Sequence, residues 1–189
     1  ILDFEKAHLE DKYPDFRNLM NEYRDGMLLF EISNREVWEK ASKDTEGLQK
    51  FFKKNRKKYK WDKPHYKGFL IQCCDAATAD GIKNRIKELD DDSVIVVLNR
   101  EFNTDSLTRV KVERGLFVEG DNEKIDELVF KGAPVKADEK LPIAFVSGKL
   151  LKKMPEAYTD VRGQVTADYQ TYLEKVWVKN CLLYTSDAA

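Results

Sequence analysis

His65-Tyr-Lys-Gly-Phe-Leu-Ile-Gln-Cys73 decides how the middle of this chain is read. Pro64 disfavours a helical residue before it, so a break falls at Trp61-Asp-Lys-Pro64. The nine residues that follow read as a β-strand, and Asp75 just beyond can cap a helix. Ala79, Ile82, Ile86 and Leu89 share one face of that helix. Val94-Ile-Val-Val-Leu98 is β-branched, but Val94, Val97, Leu98 and Phe102 fit a helical face. Asp90-Asp-Asp-Ser93 ahead of them is a helix start signal, so a second helix is expected. Thr108-Arg-Val-Lys-Val-Glu113 alternates as a strand, and Asn122–Phe130 reads as a short helix with Ile125, Leu128 and Val129 apolar. Pro142-Ile-Ala-Phe-Val146 and Lys149-Leu-Leu151 flank Ser147-Gly148, a pair that predicts a hairpin turn. The order is strand, helix, helix, strand, helix, strand, strand. A first crossover that carries helices predicts an α+β fold with a mixed sheet and helices packed on it.

On both sides of this middle the chain turns helical. Pro14 suits a first helical turn, and Phe16, Leu19, Met20, Tyr23, Met27 and Phe30 recur at three- and four-residue steps. Ser33 and Glu36 have the spacing of a capping box, which predicts a new helix carrying Val37, Trp38 and Ala41. Asp44 or Thr45 can cap a third helix with Leu48, Phe51, Phe52 and Tyr59. Near the other end, Val161, Val165, Tyr169, Leu173, Val176 and Trp177 mark a long amphipathic helix. Each stripe needs cover, so residues 14–60 and 160–180 are expected to pack together. The expected divisions are 1–63, 64–154 and 155–180.

The composition fits this reading. At 189 residues the chain should bury roughly 70% of its unfolded surface, enough for a core without metals or disulfides. Lys+Arg 33 against Asp+Glu 34 leaves a net charge of -1, which excludes nucleic-acid binding by bulk charge. No apolar run approaches the length of a membrane span. Cys73, Cys74 and Cys181 show no ligand spacing and read as structural, and the histidines are His8 and His65. No phosphate loop, nucleophile elbow or zinc helix motif occurs, and no cofactor or metal is expected. One local feature stands out. Lys50, Lys53, Lys54, Arg56, Lys57, Lys58 and Lys60 form a basic face, with Tyr59, Trp61 and Tyr66 nearby as rings that can stack on bases. A solvated helix end enriched in lysine, as the helix dipole favours, accounts for the same residues.

Tyr13-Pro-Asp-Phe-Arg-Asn-Leu-Met-Asn-Glu-Tyr-Arg-Asp-Gly-Met-Leu-Leu-Phe-Glu-Ile-Ser-Asn-Arg-Glu-Val-Trp38 resembles the helical segment of SurA-type periplasmic peptidylprolyl isomerases. Asp160-Val-Arg-Gly-Gln-Val-Thr-Ala-Asp-Tyr-Gln-Thr-Tyr-Leu-Glu-Lys-Val-Trp177 resembles their C-terminal helix, and residues 66–154 have the element order of a parvulin rotamase domain. The resemblance implies a C-terminal part of such a protein, with a signal peptide and rotamase domain upstream. It implies a periplasmic location in a Gram-negative bacterium. The partners would be unfolded or extended polypeptide clients, outer-membrane proteins among them. The oligomeric state stays open. Cys181–Ala189 departs from the family pattern and looks like translated sequencing-adapter read-through, a non-native tail.

Active parvulins carry a histidine in the first strand and a Gly-x-His element in the last hairpin. Here those places read Gly68-Phe-Leu-Ile71 and Phe145-Val-Ser-Gly-Lys149, with His65 ahead of the strand centre. The glycine-rich turn of the family survives in part as Arg114-Gly-Leu-Phe-Val-Glu-Gly120. Isomerisation needs an apolar pocket and polar groups that stabilise a twisted amide. Phe117, Phe130 and Phe145, with His65, are the candidate substrate-binding residues, and the catalytic set is unassigned. A degenerate parvulin-like domain with little activity is therefore expected, between helical chaperone-like segments. The alternative is a non-enzymatic nucleic-acid-binding module using the basic 50–63 face, and a third reading is a docking domain.

Overall fold

A computed structural model describes residues 9–186. Residues 1–8, with His8 and the start of the expected first segment, lie outside the described residues, as does the end of the tail at 187–189. The chain divides into two compact units. One is Arg56–Glu156, and the other joins the residues up to Asn55 with those from Ala157.

In the Arg56–Glu156 unit, β1 (His65–Cys73) lies at the centre of a three-stranded sheet, between β2 (Val110–Val118) and β3 (Ile143–Leu151). Both neighbours run antiparallel to β1, so the sheet is antiparallel rather than mixed. The reason lies in the crossover. The helices α3 (Ala76–Ile86) and α4 (Val94–Phe102), numbered after the two N-terminal helices below, return the chain to the end it left. Val110 then pairs with Cys73, and the N–H of Cys74 donates to the carbonyl of Arg109 at 3.1 Å. One helix would have delivered a parallel strand; two cancel each other's translation.

Asp75 caps α3 as expected, its Oδ1 accepting from the Thr78 N–H at 2.7 Å. Asn122 does the same for α5 (Glu123–Ile125), which runs on as a π-helical turn through Asp126–Phe130. Residues 131–142 then cross from the His65 end of the sheet to the Cys73 end, where β3 begins.

Two turns read from the sequence are strand instead. β3 runs unbroken through Ser147-Gly148, and Arg114–Val118 belongs to β2. The register explains both. Gly68 pairs with Gly115 on one side and Gly148 on the other, so three glycines form one row across the sheet. A Cβ on Gly68 would lie 2.7 Å from the Gly148 Cα, so these glycines permit close strand approach instead of a turn. The turn is made later, at Gly120, where φ is 99°.

Strand alternation sorts the sheet into two faces. Phe69, Ile71 and Cys73 pack with Ala79, Ile82, Val94 and Leu98 under α3 and α4. Tyr66 and Leu70 pack with Ile125 on the other face. Each fully buried aliphatic such as Ile71, Ile82 or Leu98 contributes about 1.5–3 kcal/mol. The outer edge of β2 is stopped at both ends. The Asn103 amide accepts from the Val110 N–H at 2.9 Å and donates to the Val110 carbonyl at 3.0 Å, and Asp121 accepts from the Val118 N–H at 2.9 Å. Where the unit begins and ends, Arg56 Nε donates to the Pro155 carbonyl at 2.9 Å.

The other unit is helical. The chain enters α1 (Pro14–Ser33) at Pro14, as expected, and Glu10 pairs with Arg24 across the bend at Tyr13. Ser33 is not a cap. It is helical, with φ −61° and ψ −40°, and the helix continues as a π-helical turn (Asn34–Glu39) into Lys40–Lys43. The wide turn inserts a residue into the helical repeat, rotating the following face by about 100°. Val37 and Ala41 are buried, while none of the residues of α1 is. The expected packing of 14–60 on the C-terminal helix thus begins only at residue 34. Asp44 caps α2 (Thr45–Asn55), which Arg56–Tyr59 prolongs as a 3-10 turn. Leu48 and Phe52 are buried, as are Val165 and Tyr169 of α6 (Arg162–Ser186). This last helix runs on past Asn180 through Cys181 to Ser186.

Candidate functional site

The face of the sheet under α5 carries the glycine row, and its neighbours decide what the row offers. Tyr66, on the next row of β1, is 4% exposed, and burial pushes its phenol up to about 12. A Cβ on Gly148 would come within 2.9 Å of the Tyr66 hydroxyl. Phe117, paired with Tyr66 across β2, lies over Gly115, where a Cβ would meet its ring at 2.6 Å. Space vacated by three missing side chains is filled by two rings of the same chain. The phenol of Tyr66 is a hydrogen-bonding group that this face turns toward the row.

The four candidate residues are not brought to one place. Phe117 and Phe130 join the cluster of Tyr66, Leu70 and Ile125. Phe145 packs on the opposite face with Ile71's cluster, and Lys83 Nζ lies 5.3 Å from its ring centroid. His65 stands at the end of β1. Its ring stacks on Trp61 at 3.8 Å between centroids, and Nδ1 donates to the Lys63 carbonyl at 3.0 Å. Phe145 and His65 occupy odd positions on their strands relative to Tyr66 and Phe117, which puts them on the other side of the sheet. No group of three or more metal-ligating side chains occurs among the described residues, and no described helix is long and apolar enough to cross a membrane.

A second surface lies on α1, where the periodicity predicts a buried stripe and the structure leaves it exposed. Leu19 and Tyr23 are each 61% exposed, and Met27, Leu28, Leu29, Phe30 and Ile32 are exposed too. Phe30 touches Trp38 edge-on at 5.4 Å between centroids. The signal for exposure was present in the sequence: Met27-Leu-Leu-Phe-Glu-Ile32 places apolar groups on every side of a helix, more than one core face can take.

Part of the basic stretch is engaged within the chain, while Lys53, Lys54, Lys57, Lys58 and Lys60 are exposed. Lys50 is bonded to Glu46 at 2.5 Å and Arg56 to Pro155. Of the rings expected to stack on bases, Tyr59 and Tyr66 are buried and Trp61 is covered on one side by His65. No family model matches the chain, and neither a curated protein nor a solved structure matches it.

Proposed function

We propose that this chain is a polypeptide-binding chaperone module of the SurA-like type, working in the periplasm on unfolded outer-membrane proteins. The observation that carries the reading is α1, twenty residues with none buried and a dense set of large apolar side chains on its surface. Exposed apolar patches of this kind mark sites where another polypeptide is covered or held. Aromatic and methionine side chains suit promiscuous contact, because they supply area and adapt their shape at little conformational cost. Affinity in the micromolar range, about 8 kcal/mol, fits a client that must be released to fold.

In this reading the rotamase-like unit binds and does not catalyse. Gly68-Phe-Leu-Ile71 and Phe145-Val-Ser-Gly-Lys149 hold no histidine where the resemblance calls for one, and Tyr66 and Phe117 fill the glycine row. The test is suppression of aggregation of an unfolded outer-membrane protein, with an unrelated folded domain as control. Suppression at stoichiometric chain is expected. No suppression would leave the reading without support.

A further inference from the structure

The two edges of the sheet are treated differently. β2 is blocked at Val110 by the Asn103 amide and at Val118 by Asp121, as a protected edge should be. It also carries Lys111, Glu113 and Arg114, and Arg114 is bonded to Asp92 at 2.6 Å. β3 has none of this. Among the described residues, no side chain or backbone group bonds its outer edge. Its single charged residue, Lys149, is drawn to Glu156 at 2.5 Å. Gly148, Lys149 and Leu150 are exposed, and the rest of the strand is partly so.

We propose that the outer edge of β3 takes up an extended, proline-free segment of an unfolded client as a fourth strand. The inference rests on the polypeptide-binding reading above and names its second contact. A bare row of N–H and C=O groups is complementary to another extended backbone and to little else. Apolar side chains border the edge on both faces, Ile143 and Phe145 on one, beyond which lie Ser147 and Lys149, and Val146 and Leu150 on the other. An incoming strand with apolar residues on both faces therefore finds neighbours on both. A nine-residue edge is about 30 Å long and a strand about 5 Å wide. Pairing along it buries a few hundred Å², well under the roughly 800 Å² per partner of a stable dimer. That area is too small to hold a second copy and suits a client that is bound and let go.

The experiment uses the whole chain, isotope-labelled, and a nine-residue peptide of valine and threonine flanked by lysines. A twin peptide is N-methylated at four consecutive central residues, which blocks both of its edges. The unmodified peptide is expected to slow amide hydrogen exchange in 143–151 and to leave 110–118 unchanged. The twin should bind about tenfold more weakly or worse, since several hydrogen bonds are lost. Equal affinity of the two peptides overturns the proposal, as does protection along β2. Protection in 143–151 that grows with chain concentration and no peptide overturns it in favour of self-pairing. Protection confined to α1, or no peptide binding by a chain that still suppresses aggregation, overturns it and leaves the chaperone reading standing. Neither binding nor suppression removes both.

Discussion

The hydroxyl of Tyr169 donates to Asp44 Oδ2 at 2.8 Å, joining residues 125 positions apart in the chain. The other carboxylate oxygen accepts from the Gly47 N–H at 2.8 Å and so starts α2. One carboxylate thus caps a helix and ties it to α6, and Gly47 sits directly beneath the bond. A Cβ there would lie 2.6 Å from the Asp44 carboxyl carbon. Replacing a helical glycine by alanine ordinarily stabilises by up to about 1 kcal/mol. Gly47→Ala is expected to do the reverse and destabilise by about 1–2 kcal/mol, because it displaces a charge-assisted hydrogen bond. Urea unfolding of Gly47→Ala, Asp44→Ala, Tyr169→Phe and the double variant checks this, with a coupling energy of roughly 1 kcal/mol between Asp44 and Tyr169.

The same pair sets a pH dependence. The Gly47 N–H, and after it the Tyr169 hydroxyl, hold the Asp44 carboxyl below its usual range. Its contribution is present above the ordinary carboxylate value and is lost as pH falls through the lowered one. Burial, and then the Asp44 carboxylate, push the Tyr169 phenol up to about 12. That contribution is present below about 10 and is lost as pH rises toward 12. Tyr169→Phe should therefore flatten the stability profile between those alkaline limits and move the acid limb upward. An unchanged alkaline slope in denaturant titrations would contradict the assignment.

Two glycines should respond in opposite senses to alanine. Gly26 lies within α1 with nothing within 4 Å of an added Cβ, so Gly26→Ala is expected to stabilise by up to about 1 kcal/mol. Gly68→Ala presses a methyl against the Ser147 and Gly148 backbone and should cost about 1–3 kcal/mol or more. Thermal unfolding of the two variants side by side measures the contrast.

Proline isomerisation should proceed in the presence of the chain at close to its uncatalysed rate. The glycine row holds no histidine, and His65 lies on the other side of the sheet from it. Protease-coupled absorbance on a Xaa-Pro peptide follows the reaction. A rate near that of an active parvulin, abolished by His65→Ala, would show the row to be misread.

Leu19, Tyr23 and Met27 are exposed, so replacing all three by serine should change stability by less than about 0.5 kcal/mol per site. Suppression of client aggregation should fall severalfold. Loss of folding in the triple variant would mean that these side chains are core.

The sequence was most informative where one local signal decided the outcome. Asp75 and Asn122 announce helix starts by chemistry that acts within three residues, and the helix at Val94–Phe102 follows from periodicity over its β-branched content. It was misleading where the decision lay across the chain. Ser147-Gly148 has the composition of a turn, and only pairing with Gly68 reveals it as a close strand contact. Ser33 and Glu36 have the spacing of a capping box, but the helix passes through them as a π-helical turn. Phe117, Phe130 and Phe145 together offer the apolar part of a pocket in the sequence, whereas strand parity sends Phe145 to the other face. The exposure of α1 was legible in Met27–Ile32, whose apolar residues exceed one helical face, but the stripe from Phe16 to Phe30 alone reads as core.

The bond from Arg56 to the Pro155 carbonyl, spanning 99 positions, also bears on the order in which the molecule assembles. The helical unit is made from both ends of the chain, and bringing Asp44 to Tyr169 in an otherwise unfolded polypeptide means closing a long loop. Once the sheet unit has folded, its two ends are already neighbours, and the effective loop shrinks to a few tens of residues. The entropy of closure then falls by about 1 kcal/mol. The sheet unit is therefore expected to fold first, as the clasp, and the helical unit after it.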